Sequence, residues 1–391
     1  MLIAIIVAIS LLLIWGDYIL YQRFIRHHAP YIRWSAVALF AIANTLPYIA
    51  VIALQFLDLS SIAPLMWLLT VYVILSLSRI ALYAGVLTIK NRYAKWIVGV
   101  TLCTIVAYIL LVGVVHTRKD ITVRSTEIAS VNLPKSFDGY RIVFFSDLHI
   151  GSLTSVTEMC NNLVERINSL NADLVIFGGD LINARYDELT SELRDILGGI
   201  KSKDGVIAVL GNHDTGVYVK DTIALPIEEN TRLIKERIEA MKWHILDDES
   251  EWLVRDKDSL TITGIGFSRK LLEYRHSTSV ADSLDIRPIY RELPNDKFNL
   301  SISHMPQLWR KISELGYGDL VLSGHVHAMQ MKCRIGDCEI SPAQLMYQEW
   351  SGHYREGDSH LYISDGVGSV GFHLRMGAPP EITELTLRRA D

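Results

Sequence analysis

Four runs of apolar residues, at about 2–21, 34–57, 62–87 and 96–115, constrain this chain more than any other feature. Each approaches or exceeds the roughly 20 residues that a helix needs to cross a hydrocarbon layer. A helix or a closed barrel is also the only structure that satisfies its own backbone there. Residues 1–119 therefore read as an all-α domain of four transmembrane helices. The first run reads as a span rather than a cleaved leader, since no basic residue precedes it and no polar chain follows.

Charge divides the chain at the same place. Up to Lys119 nine Lys and Arg stand against two Asp, a net +7, so the −5 of the whole chain leaves −12 for residues 120–391. That balance repels a polyanion and excludes nucleic acid as a partner of the second half. Arg23, Arg26 and Arg33 lie between the first two runs, and Lys90, Arg92 and Lys95 between the last two, whereas the middle connection has no Lys or Arg. The positive-inside rule then places the first and third connections in the cytoplasm and the second half outside it. Arg118, Lys119 and Arg124 pull the other way. Arg79, about two turns from the cytoplasmic end of the third run, reads as snorkelling to the interface, and Asn44 and Pro47 as packing and kink features. With no paired polar residues apparent in the spans, a transporter is disfavoured.

Four cysteines add little. Cys103 falls in a span and Cys160 in an expected helix, both as small buried hydrophobes. Cys333 and Cys338 flank Arg-Ile-Gly-Asp, an expected hairpin turn, which leaves a disulfide, two free thiols and a metal-binding pair open.

From residue 120 short apolar strands alternate with amphipathic helices, the pattern of an α/β sheet. Arg141–Phe145 runs into Ser-Asp147-Leu-His149, and Asp147 and His149, two apart, share one side at the strand's carboxyl end, where such sheets bind ligands. Later strands repeat the arrangement: Asp173–Gly178 ends at Gly179-Asp180, Gly205–Leu210 at Gly211-Asn212-His213-Asp214, Asn299–Ser303 at His304, and Asp319–Ser323 at Gly324-His325-Val-His327. Singly, each is a common turn or surface residue. Jointly, carboxylate, carboxamide and imidazole are what a pair of borderline divalent cations takes.

These motifs, in this order from about Tyr140 to Leu387, resemble those of the calcineurin-like metallophosphoesterases. The tail from Asp365 to Leu387 is similar to a branch found behind membrane anchors in bacteria. The resemblance implies a four-layer αββα sandwich over residues 120–391. It also implies one metal on Asp147, His149, Asp180 and His327, and a second on Asp180, Asn212, His304 and His325, with Asp180 shared. The ions would be manganese, iron or zinc. His213 is then the motif histidine that binds no metal and donates a proton to the leaving oxygen, with Asp214 either orienting it or simply capping the loop.

Two departures stand out. Ala328-Met329-Gln330 follows the last motif where the branch has paired glycines and a glutamine. The stretch 215–247 is also long, with an amphipathic helix expected near 228–241 that reads as a surface helix before it reads as a lid. Arg185 is a candidate phosphate contact. The sequence thus points to a membrane-anchored phosphoesterase acting on a lipid-linked or envelope phosphate ester or pyrophosphate. Some members of the branch cleave the UDP-diacylglucosamine pyrophosphate of lipid A synthesis, which requires a cytoplasmic catalytic face. A non-catalytic metal-binding sensor is the alternative, and it predicts losses among these ligands or His213 that the sequence does not show.

Overall fold

The computed structural model describes residues 2–53, 56, 62–270, 284–336 and 338–390. It forms two compact units, one gathering the apolar helices with Val370–Leu374 and the other most of the chain from Thr117 onward.

In the first unit α1 (Leu2–Leu20) continues into a π-helical turn at Tyr21–Ile25. α2 (Pro30–Ala53), α3 (Ala63–Thr88) and α4 (Ala94–Val115) follow. All four are long and apolar enough to cross a membrane. α2 starts before residue 34 because Pro30, which has no N–H to satisfy, suits a first helical turn. The expected end of that span lies partly outside the described residues, as do residues 58–61 of the connection without Lys or Arg. A Cβ on Gly85 would stand 2.3 Å from Gly99 Cα, so α3 and α4 pack backbone against backbone.

The spans contain paired polar groups, contrary to the sequence reading. Asn44 donates to Asp17 at 2.8 Å, and Arg79 donates to Asn44 at 2.7 Å while lying 3.7 Å from the Asp17 carboxylate. The Tyr83 hydroxyl donates to Asp17 as well. Arg79 therefore does not snorkel. A carboxylate and a carboxamide on neighbouring helices meet its Nη2 inside the bundle, while Nε and Nη1 are buried without a hydrogen-bond partner.

The second unit is built on two six-stranded sheets. The first, in spatial order, holds β1 (Thr122–Ser130), β14 (Glu381–Arg389), β2 (Arg141–Phe145), β3 (Leu174–Phe177), β4 (Val206–Ala208) and β5 (Trp243–Ile245). The second holds β12 (Gly352–Glu356), β13 (Ser359–Ile363), β9 (Leu320–Ser323), β8 (Asn299–Ser303), β7 (Asp258–Ile265) and β6 (Glu249–Arg255). β2 through β5 are parallel, as are β7, β8, β9 and β13. The carboxyl ends of the parallel strands therefore open on common edges.

Alternation along β2 shows how the layers form. Ile142 and Phe144 turn inward to the core between the sheets, where they join Ile302, Leu322 and Tyr362. Val143 and Phe145 turn outward to Leu163 and Ile167 of α5 (Val156–Ser169) and to Ile234 and Ile238 of α7 (Ile227–Glu239). On the far side, α8 (Trp309–Glu314) buries Trp309 and Ile312 against the second sheet. Two sheets with helices outside both make the αββα sandwich.

The remaining hairpin, β10 (Cys333–Ile335) with β11 (Cys338–Ile340), stands apart as a two-stranded ribbon. Cys333 pairs with Ile340 and Cys338 with Ile335, so the thiols are diagonal, not opposite, and both are free. Diagonal positions lie roughly 7–8 Å apart, beyond ordinary disulfide reach. Asp337 of its turn lies outside the described residues.

Removing one partner of the Asp17–Arg79 pair should strand the other inside the bundle. Asp17→Ala is expected to cost on the order of 3 kcal/mol, read as a lowered unfolding midpoint of the detergent-purified protein. The double change Asp17→Leu/Arg79→Leu should recover most of that loss.

Candidate metal centre

Nine residues singled out by sequence lie at five strand ends, and eight of them come together at the carboxyl edge. Asp147 and His149 follow β2, Asp180 follows β3, Asn212 and His213 follow β4, His304 follows β8, and His325 and His327 follow β9. Ligand atoms of Asp147, His149 and His327 lie within 4.8 Å of one another, as do those of Asp180, His304 and His325. A third such group joins His149 and Asp180 to His213. The Nε2 atoms of His149 and His327 are 3.2 Å apart, and His327 Nε2 is 3.0 Å from Asp147. Asp180 lies 3.1 Å from His304 Nε2 and 3.6 Å from His149 Nε2. Asn212 accepts from His325 Nδ1 at 2.8 Å.

The residues fit divalent cations. The Nε2 atoms of His149 and His327 face each other at 3.2 Å, where they cannot both donate, and each also lies within 3.0–3.6 Å of a buried carboxylate. A cation between them resolves this by accepting their lone pairs. The charges also suit one. Burial opposes ionisation of Asp147 and Asp180, yet the His327 imidazole beside Asp147 and the His304 imidazole beside Asp180 hold both well below the usual carboxylate range. Burial, then His213, pushes His149 well below its ordinary value. At His304 burial acts the same way, but Asp180 outweighs it and raises the group to about 9.

Backbone strain is concentrated at the ligands. Asp147, His149, Asp180, His325 and His327 are all left-handed, with φ between 44° and 70°, a conformation that non-glycine residues hold only when their surroundings impose it. Ala328, Met329 and Gln330 continue the run at φ 47°, 47° and 59°, where glycine would sit without strain. Ser341 Oγ, donating to the Ala328 carbonyl at 2.8 Å, helps to hold them. Gly211 must be glycine for another reason, because a Cβ there would meet Asp180 Oδ1 at 2.1 Å.

Of the two roles the sequence leaves open for Asp214, its contacts fit the loop cap. Fully buried, it accepts from the backbone N–H groups of Asp180, Leu181, Ile182 and Gly211 at 2.8 to 3.2 Å. It therefore shapes the loop that carries Asp180. Burial, then Asp180, pushes its carboxyl up to about 7. The partner of His213 is the Asn183 carbonyl, 2.6 Å from Nδ1. Tyr218 packs on the same imidazole at 4.3 Å between ring centroids, and its hydroxyl accepts from Asn212 at 3.0 Å.

Sequence reasoning missed Asn183 and Tyr218. Asn183 acts through its main chain, which no side-chain pattern announces. Tyr218 lay inside the stretch noted for its length. The amphipathic helix of that stretch, α7, packs into the core through Ile234 and Ile238. Its buried Asn230 accepts from Tyr186 N and donates to the Ala184 carbonyl, so it braces the Asp180 loop and is no lid. Arg185 pairs with Asp187 at 3.3 Å. On the other side, Val367 and Gly368 donate to the carbonyls of Ser146 and Asp147. The fully buried Arg375 holds that turn through the carbonyls of Gly368, Asp365 and Ala378.

A sandwich with buried carboxylates and imidazoles converging along one edge is a candidate divalent-metal site. Residues 140–329 match the calcineurin-like phosphoesterase family model, and the domain belongs to that family of hydrolytic phosphoesterases. The chain is 28% identical over 254 residues, 63% of its length and 59% of the relative's, to an uncharacterized metallophosphoesterase of Helicobacter pylori. It is 26% identical over 289 residues, 72% and 60%, to a transmembrane protein with metallophosphoesterase domain of Bos taurus. It is 24% identical over 224 residues, 51% and 68%, to the UDP-2,3-diacylglucosamine pyrophosphatase LpxG of Chlamydia muridarum. The chain thus spans 59% and 60% of the first two relatives.

Replacing Asp214 by Ala would orphan four buried N–H groups at once. The expected loss is on the order of 3 kcal/mol, together with reduced metal content by elemental analysis. If Asp214 served only to orient His213, stability and metal content would both be unchanged.

Proposed function

We propose that the protein is a multi-pass, membrane-anchored phosphoesterase that hydrolyses a phosphate ester or pyrophosphate with two divalent cations, manganese, iron or zinc. The observation that carries the reading is the convergence of Asp147, His149 and His327 with Asp180, His304 and His325, where the Nε2 atoms of His149 and His327 face each other at 3.2 Å. Asp147, His149, Asp180 and His327 would hold one ion. Asp180, Asn212, His304 and His325 would hold the other. Paired cations there supply Lewis acidity toward phosphate oxygens and a nucleophilic water at neutral pH.

The chain's own residues do the rest. Asp180, reached from both clusters, sets the spacing of the two sites. His213, fixed through Nδ1 by the Asn183 carbonyl, presents Nε2 to carry a proton to the departing oxygen. The −12 charge of the second half argues against nucleic acid. A domain on the same chain as four membrane-length helices meets lipid-linked phosphates at high local concentration, which supports an envelope or lipid substrate. The similarity to LpxG supports a second reading, a UDP-diacylglucosamine type of pyrophosphatase with the catalytic face in the cytoplasm.

Two measurements test this. His213→Ala should keep both metals by elemental analysis while losing on the order of 10²-fold in rate on phosphate esters, and full activity in the metal-replete variant would reject the role. A reporter fused after Lys119 should be active outside the cytoplasm. A cytoplasmic signal would instead favour the UDP-lipid reading.

A further inference from the structure

The β10–β11 ribbon has an apolar face that nothing among the described residues covers. Alternation and register place Cys333, Ile335, Cys338 and Ile340 on one side and Arg334 with Glu339 on the other. Ile335 is 63% and Ile340 48% exposed, and Leu345, in the turn that follows, is 82% exposed. Single exposed apolar residues are ordinary, but these lie together on one face of one ribbon and in the turn that follows it.

Both ends of this segment are joined to the candidate metal centre. It leaves the left-handed stretch after His327, with Ser341 bound back to Ala328. It returns at Tyr347, whose hydroxyl lies 3.3 Å from His325 Nε2. A ligand with its phosphate at the metals and an apolar extension would therefore run from Tyr347 past Leu345 onto the ribbon.

The size of the face selects its occupant. Three residues per strand span about 10 Å, and two strands are about 5 Å apart. That footprint falls far short of the roughly 800 Å² per partner that a stable protein interface or dimer buries. An alkyl chain fits it.

We propose that the face formed by Cys333, Ile335, Cys338 and Ile340, continued by Leu345, is the subsite for the hydrocarbon chain of a lipid phosphate whose phosphate group occupies the metal centre. The proposal rests on the phosphoesterase reading, and it names the substrate class by its chain.

The test compares 4-nitrophenyl hexadecyl phosphate with 4-nitrophenyl methyl phosphate, esters with one leaving group, on the full chain in nanodiscs with manganese. The wild type should prefer the long-chain ester by about tenfold or more in kcat/KM, the equivalent of burying two methylenes. Ile335→Asn/Ile340→Asn should lose that preference while its rate on the methyl ester is unchanged. A variant that keeps the preference overturns the proposal, and so does one that loses both rates equally, which would make the ribbon a support for the site. If neither ester is cleaved, the diesterase form of the phosphoesterase reading fails and binding decides alone. Thermal-shift titration should then show hexadecylphosphonate bound about tenfold more tightly than methylphosphonate by the wild type and equally by the variant. Equal binding by the wild type overturns the subsite.

Discussion

Asp147 and Asp180 are buried with at most 2% of their surface exposed, and such a pair of carboxylates is tolerable only with dense compensation. Much of the sandwich supplies it. Imidazoles arrive from β2, β8 and β9, and backbone N–H groups add to them: His325 N donates to Asp147 and His213 N to Asp180. A third buried carboxylate, Asp214, spends its acceptor capacity on the loop that carries Asp180. The parallel order of β2, β3 and β4 is what makes this possible, because it turns successive carboxyl ends toward one edge.

What the sequence disclosed follows from the range of each interaction. The four membrane-length helices were legible because hydrophobicity over 20 or so residues is a local property. The strand ends were legible because Asp, Asn and His after short β-branched runs break a local pattern. The positions of Asn183 and Tyr218 were not, since a main-chain carbonyl and a ring stacked on His213 depend on how a loop closes. The sequence left Asp214 between orienting His213 and capping a loop for a related reason. Its neighbour in sequence is His213, but its partners lie across the fold after β3.

The membrane helices offer the sharpest case. Arg79 alone in the third run invites the bland reading of a long side chain reaching for water. Only the packing of α1, α2 and α3 reveals Asp17 and Asn44 beside it, and side-chain pairing between helices leaves no periodic trace.

That cross-helix pair also bears on how the protein is made. An arginine inside an isolated apolar helix partitions into lipid at a penalty of roughly 2.5–3.5 kcal/mol, so α3 is a poor membrane segment until its partners are present. Asp17 and Asn44 both precede Arg79 in the chain, so during synthesis the acceptors emerge before the cation they neutralise. The order of the genetic message thus matches the order of assembly, and a circular permutation that brought α3 out first would deny it that welcome.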